Sequence, residues 1–81
     1  MRRAVLDLGS NSFHVLVADV DGPSVTPVLR ERDMLHLGRA VATAGAVPEE
    51  AQHAAITTVR HLATLGRRAA ADSVTAVATA A

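Results

Sequence analysis

The stretch that most constrains the fold is residues 4–20, where two apolar runs flank a short polar segment, Gly-Ser-Asn-Ser at residues 9–12. Short apolar runs that are bounded by turn residues and rich in valine are typical of buried strands. Glycine and asparagine favour a tight turn between the runs, because both tolerate a positive φ. The stretch therefore predicts a β-hairpin, with strand one over about residues 3–8, strand two over about 12–19, and Asp7 at the tip.

The turn and the carboxylate before it predict a phosphate site. Successive backbone N–H groups in a turn form a concave anion site, and Ser10, Asn11 and Ser12 add hydroxyl and amide donors. Gly9 lets a ligand approach the backbone closely. Asp7 would repel a bare phosphate, so its expected partner is a divalent cation that accompanies the phosphate. The alternative is a plain hairpin whose Asp and Asn side chains satisfy the turn, and these six residues alone favour it.

The residues after the hairpin predict a third strand followed by a loop. Asp21-Gly22 is typical of a two-residue turn, and strand three is expected over about residues 24–32. Proline cannot donate a hydrogen bond to a neighbouring strand, so Pro27 marks an edge or bulged strand. The alternating charges of residues 30–33 should face water, and we interpret them as a solvated edge rather than a binding site. Residues 34–47 predict a loop.

Strand two alternates between two largely apolar faces, so we expect both faces to be mostly buried. His14 lies among apolar residues with no carboxylate close in sequence. We therefore interpret it as a satisfied imidazole in the core or near the surface, and only Asp7 across the hairpin would change that interpretation. The two faces consist of Phe13, Val15 and Val17, and of His14, Leu16 and Ala18.

One helix is predicted over residues 48–66, where apolar residues recur at helical spacing. Pro48 suits the first helical position, which leaves Val47 as the N-cap residue. Glycine is common just after the last helical turn, and arginines there complement the helix dipole. Gly66, with the two arginines after it, therefore predicts the end of the helix.

A final strand over about residues 73–79 completes the predicted sheet. A strand reached through a helical crossover runs parallel to the strand that it joins. We expect the order 3-2-1-4, with only strand four parallel to strand one. The carboxyl ends of these two strands then share the crevice where open α/β sheets bind ligands, which brings Asp7 and Thr79 together. Thr79 either donates a hydroxyl to phosphate or caps the strand, and both interpretations stay open.

Composition narrows the class of partner. The 81 residues contain eight basic and eight acidic side chains and no cysteine. Without a basic excess, neither nucleic acid nor a membrane is an expected partner, and no apolar run reaches the ~18 residues of a spanning helix. We expect a cytoplasmic protein. A chain this short and this rich in alanine buries little apolar area, which indicates a fragment of a larger domain.

The eight residues Asp7-Leu8-Gly9-Ser10-Asn11-Ser12-Phe13-His14 closely resemble the opening of the exopolyphosphatase/guanosine pentaphosphate phosphohydrolase (Ppx/GppA) family. That family belongs to the actin-like, sugar-kinase and heat-shock ATPase superfamily. The resemblance implies an α/β fold, the N-terminal part of an actin-like (ribonuclease H-like) ATPase domain, with residues 1–81 as its truncated N-terminal portion. Further matches follow in order at Arg30-Glu31, Leu37-Gly38, Pro48-Glu49-Glu50-Ala51 and Val77-Ala78-Thr79-Ala80-Ala81.

The resemblance also implies a site and a reaction. Family enzymes remove terminal phosphate from inorganic polyphosphate, or the 5′-phosphate of guanosine pentaphosphate, through metal-assisted attack of water with a glutamate as general base. Asp7 would orient Mg²⁺, whereas the glutamate and a second phosphate loop have no counterpart in this chain. The chain alone is therefore expected to be inactive and to contain no catalytic residue, and the full-length enzyme to be a homodimer. The candidate phosphate ligands are Gly9, Ser10, Asn11, Ser12 and Thr79.

Two alternative functions are also consistent with the sequence. One is the N-terminal part of an actin-like kinase or ATPase with ATP as its ligand. Those enzymes usually place Thr or Lys in the first turn, where this chain has Asn11 and Ser12, so this reading ranks lower. The other is a non-catalytic module that binds phosphate without hydrolysing it.

Overall fold

The structure, a computed structural model, describes residues 1–35 and 45–78. In these ranges the chain forms four strands and one helix, each within two residues of its predicted bounds. Thr79 and most of the predicted loop at residues 34–47 lie outside the described residues. The elements are β1 (Arg2–Leu8), β2 (Ser12–Asp21), β3 (Ser24–Met34), α1 (Glu49–Arg68) and β4 (Ser73–Ala78).

The strands form one mixed sheet in the order β3-β2-β1-β4. β1 is antiparallel to β2 and β2 is antiparallel to β3, whereas β4 is parallel to β1. The chain passes through α1 before it returns to pair with β1, because two parallel strands need a long crossover between them. The predicted order, the single parallel pair and the crossover helix are confirmed.

β3 forms one edge of the sheet and contains a bulge. Val17 pairs with Leu29, but the next residue, Ala18, pairs with Pro27, so Val28 has no partner opposite it. Proline has no N–H to donate to a neighbouring strand, and a bulged strand at the edge of a sheet tolerates this. The prediction that Pro27 marks an edge or bulged strand is confirmed.

The turn between β2 and β3 lies one residue later than predicted. Asp21 pairs with Ser24, so the two turn residues are Gly22 and Pro23 rather than Asp21 and Gly22. Gly22 has a φ of 55°, in the left-handed region that glycine adopts without strain. Because the first turn residue has a positive φ, glycine rather than aspartate occupies that position.

The core lies between α1 and one face of the sheet. Cross-strand partners such as Leu6 and Val15 share a face, so the alternation along β1 continues onto β2. Leu62 reaches this face from α1 and is 1% exposed. The buried apolar cluster consists of Ala4, Leu6, Phe13, Val15, Val17 and Leu62.

Gly66 lies inside α1 and is buried, so the prediction that it ends the helix is wrong. A Cβ atom at Gly66 would lie 2.9 Å from the Cβ of Ala4 on β1, closer than two such atoms pack. Glycine at this position therefore serves the packing of the helix on the sheet. The helix continues to Arg68 and ends where Ala70 takes a φ of 61°.

The first turn of α1 also differs from the prediction. Pro48 is the N-cap residue itself, with φ −60° and ψ 152°, and not the first helical residue after Val47. Its ring cannot cap the helix, and no side-chain cap bond forms there. The side-chain Nε2 of Gln52 donates to the Val47 carbonyl at 2.9 Å. Within the described ranges, no helix is both long and apolar enough to cross a membrane.

The face of the sheet opposite α1, here called the open face, is only partly covered by the described residues. His14 is exposed, Val5 is 40% exposed and Leu16 is half-buried. The expectation that both faces of strand two are mostly buried is wrong for the described chain, although Ala18 is buried. Alternation of apolar residues indicates which side chains can be buried. It does not show whether another element of the structure covers them.

Candidate functional site

Asp7 lies one residue before the end of β1, on the open face. His14 stands opposite it on β2 and Val77 beside it on β4. Asp7 is partly buried, and its neighbour Leu6 points to the core. Because β1 and β4 are parallel, their carboxyl ends meet at this end of the sheet, as predicted. Thr79, the remaining predicted ligand, lies outside the described residues.

The turn that follows β1 is closed by its own backbone. The Gly9 N–H donates to the Ser12 carbonyl at 3.0 Å. The Leu35 N–H, just after β3, donates to the Asn11 carbonyl at 2.8 Å and fixes the turn from the side. Among the described residues a positive φ occurs at Gly22, Gly45 and Ala70, so this turn forms without the left-handed conformation expected of Gly9 and Asn11.

The donors that the turn offers to a ligand come mainly from Ser10 and Asn11. Within residues 1–35 and 45–78, the side chains of these two residues make no hydrogen bond. The Gly9 N–H is already used inside the turn, so the contribution expected of Gly9 is the close approach of its backbone rather than a donor. The four turn residues and Asp7 thus lie together at one end of the sheet, and their roles stay predictions.

His14 fits the interpretation of a satisfied imidazole near the surface. Its side chain is exposed, and Nε2 lies 2.8 Å from Oγ of Ser12. Residues two apart on a strand point to the same face, so the spacing of Ser12 and His14 contained the signal for this contact. The sequence interpretation considered only a carboxylate as the partner of His14.

The open face forms a shallow cavity of about 540 Å³ beside Asp7. Arg30 and Arg32 stand opposite Leu16 and His14, so both guanidinium groups belong to this face. Residues 30–33 are exposed, as predicted, yet residues 30–32 also help to form this cavity. The cavity is lined by Val5, Asp7, His14, Val15, Leu16, Arg30, Glu31 and Arg32.

The donor set fits a cation that arrives with its phosphate. Within the described residues, no group of three or more His, Cys, Asp or Glu side chains surrounds a common point. Mg²⁺ usually keeps several waters and binds through one or two carboxylates together with substrate phosphates. The single carboxylate of Asp7 beside the turn meets that requirement.

Comparison with known proteins gives matches by structure. No family model matches the sequence, and no curated protein matches it. A Ppx/GppA phosphatase of Aquifex aeolicus, the type II variant, matches with a TM-score of 0.85 and 24% identity over 96% of this chain. Another structure of the Aquifex aeolicus family member matches with a TM-score of 0.85 and 26% identity. An exopolyphosphatase from Cytophaga hutchinsonii matches with a TM-score of 0.84 and 28% identity.

The chain spans about a quarter of the length of these structures, 26%, 26% and 25% respectively. With its sheet order and the crossover helix α1, it has the fold of the N-terminal part of an actin-like ATPase domain. The predicted resemblance to the N-terminal part of the Ppx/GppA family is confirmed.

Proposed function

We propose that the protein carrying this chain is a Mg²⁺-dependent phosphohydrolase. Its substrate is inorganic polyphosphate, from which it removes terminal phosphate, or guanosine pentaphosphate, from which it removes the 5′-phosphate. The chain supplies Asp7 and the first phosphate-binding turn, residues 9–12. The chain spans about a quarter of the matched structures, so we assign the activity to a longer protein and no catalytic base to this chain.

The observation that supports this proposal most strongly is the position of Asp7. A partly buried carboxylate lies at the end of a central strand, directly before a turn with hydroxyl and amide donors. The same arrangement of strands and helix occurs in an exopolyphosphatase at 28% identity over 96% of the chain. The fold and the residue types therefore both support a phosphate site at this end of the sheet.

The chemistry assigned to the chain is binding and orientation. Ser10 and Asn11 donate to phosphate oxygens, and Asp7 orients the cation and its waters. When bound, Mg²⁺ neutralises charge on the transferring phosphoryl group. Donors that are already fixed in place stabilise developing charge without reorganising, and the bonds from Gly9 and Leu35 hold this turn in shape.

The direct test is a substrate panel with the purified full-length gene product. Release of inorganic phosphate is measured with Mg²⁺ from polyphosphate, guanosine pentaphosphate and ATP, each at the same phosphate concentration. We expect release from one or both of the first two, and much slower release from ATP. Turnover confined to ATP would favour an actin-like kinase or ATPase instead. Binding of all three without turnover would indicate a non-catalytic module.

A further inference from the structure

We propose that His14 is a positioning residue that orients the Ser12 hydroxyl toward a bound phosphate. This inference rests on the proposed function of the turn and adds a residue outside it. The contact is explicit, since His14 Nε2 lies 2.8 Å from Ser12 Oγ. Both residues belong to β2, and their side chains share the open face with Asp7.

The position of His14 suits this role better than a role in folding. His14 is exposed, so its imidazole adds little apolar burial to the core. It stands opposite Asp7 on one side and Arg32 on the other, in a row across the sheet. The imidazole therefore lies between the carboxylate and a guanidinium group, immediately beside the turn.

The hydrogen bond determines what Ser12 can offer a ligand. A serine hydroxyl has one proton to donate and two lone pairs to accept. When Nε2 carries the imidazole proton, it donates to Oγ and the Ser12 proton is left for a phosphate oxygen. Without His14 the hydroxyl rotates freely, and binding must then order it. Ordering a side chain on binding costs free energy, so the loss of His14 should weaken phosphate binding about two- to tenfold.

The experiment measures the affinity of the full-length gene product for inorganic tripolyphosphate by calorimetry. We expect His14→Ala to weaken binding about two- to tenfold. The amide nitrogen of glutamine reaches the place of Nε2, whereas that of asparagine reaches the place of Nδ1. His14→Gln should therefore restore most of the affinity and His14→Asn should not. His61→Ala, at an exposed position on α1, is the matched control and should bind as the wild type does.

A double-mutant cycle tests whether His14 acts through Ser12. Residues that act together lose affinity non-additively, so Ser12→Ala combined with His14→Ala should cost hardly more than Ser12→Ala alone. Additive losses would overturn the proposal, as would an unchanged affinity of His14→Ala. Rescue by Asn instead of Gln would also overturn it. If the wild type binds no tripolyphosphate, the proposed function of the turn is wrong, and so is the role of His14 that rests on it. The thermal unfolding midpoint should be the same for each single variant, since a folding defect would shift it.

Discussion

At one end of the sheet, Arg2 joins three elements through its own bonds. Its Nε donates to Asp19 on β2 at 2.8 Å, and its Nη1 donates to the Ala69 carbonyl just after α1 at 2.7 Å. Its backbone N–H donates to the Asp72 carboxylate at 2.8 Å, next to β4. At the other end, the turn after β1 closes on itself, because the Gly9 N–H donates to the Ser12 carbonyl.

We expect the end of the sheet with Arg2 to contribute mainly to stability, and the end with the turn to contribute mainly to binding. Charged and polar groups of the Arg2 cluster (Arg2, Asp19, Ala69 and Asp72) are satisfied by one another, so they hold β1, β2, α1 and β4 together. At the turn, the side chains of Ser10 and Asn11 make no hydrogen bond within the described residues, and we propose that a ligand supplies their partners. Changes near the Arg2 cluster should therefore alter unfolding but not substrate affinity, and changes at the turn should do the reverse.

The largest effect expected is a complete loss of activity in the isolated 81 residues. Phosphoryl transfer needs a base that orients water and donors on both sides of the phosphoryl group, and the turn supplies one side. We expect no release of phosphate from polyphosphate with Mg²⁺ at any chain concentration. The full-length gene product serves as the positive control.

The isolated chain should also associate with itself through β4. This edge strand, Ser73–Ala78, has no charged residue, and its Val74 and Val77 are 39% and 45% exposed. The opposite edge, β3, has a bulge and four charged residues in succession, which disfavour pairing between chains. Analytical ultracentrifugation measures the association. A monomeric 81-residue chain that releases phosphate would contradict both expectations.

A smaller effect is expected from Gly66→Ala, at the contact between α1 and β1. In an open helix this change would stabilise the protein by about 0.8–1 kcal/mol, because alanine is the better helix former. Here the new Cβ would lie 2.9 Å from Ala4, so we expect destabilisation by about 1–3 kcal/mol instead. Urea unfolding measures the difference, with exposed Thr57→Ala as the control. A gain of stability would show that Gly66 and Ala4 do not pack this closely. A raised KM would contradict the expectation that changes away from the turn leave substrate affinity unchanged.

The smallest effect is the pH dependence from Asp19. The hydrogen bond from Arg2 lowers the pKa of the Asp19 carboxyl below its ordinary value. Folding therefore favours the ionised form, and the stability that this gives is present above the unfolded pKa of about 3.9 and is lost as pH falls through the folded one. Asp19→Asn should lose less stability than the wild type below about pH 4. Parallel curves of stability against pH for this variant and the wild type would contradict the bond.

The strands, their order and the place of Asp7 were predictable from the sequence, because valine-rich runs, turn residues and a long crossover are local signals. The role of Gly66 was not, since it depends on how closely α1 packs on Ala4. The exposure of the open face was not predictable either, because apolar alternation does not show what covers a face. At the candidate site, the grouping of Asp7 with residues 9–12 followed from their adjacency. The contact between His14 and Ser12 was missed, although their spacing of two contained it.

The measurement that tests the central claim most directly compares Asp7→Asn with the wild type in the full-length gene product. Asparagine keeps the size of the side chain and removes the charge that we propose orients the cation. We predict that kcat for polyphosphate falls about 10²-fold, in the range seen when one group that stabilises transition-state charge is removed. The KM and the unfolding midpoint should change little, and Asp21→Asn, an exposed carboxylate at the opposite end of the sheet, should retain full activity. Equal kcat values for Asp7→Asn and the wild type would contradict the account.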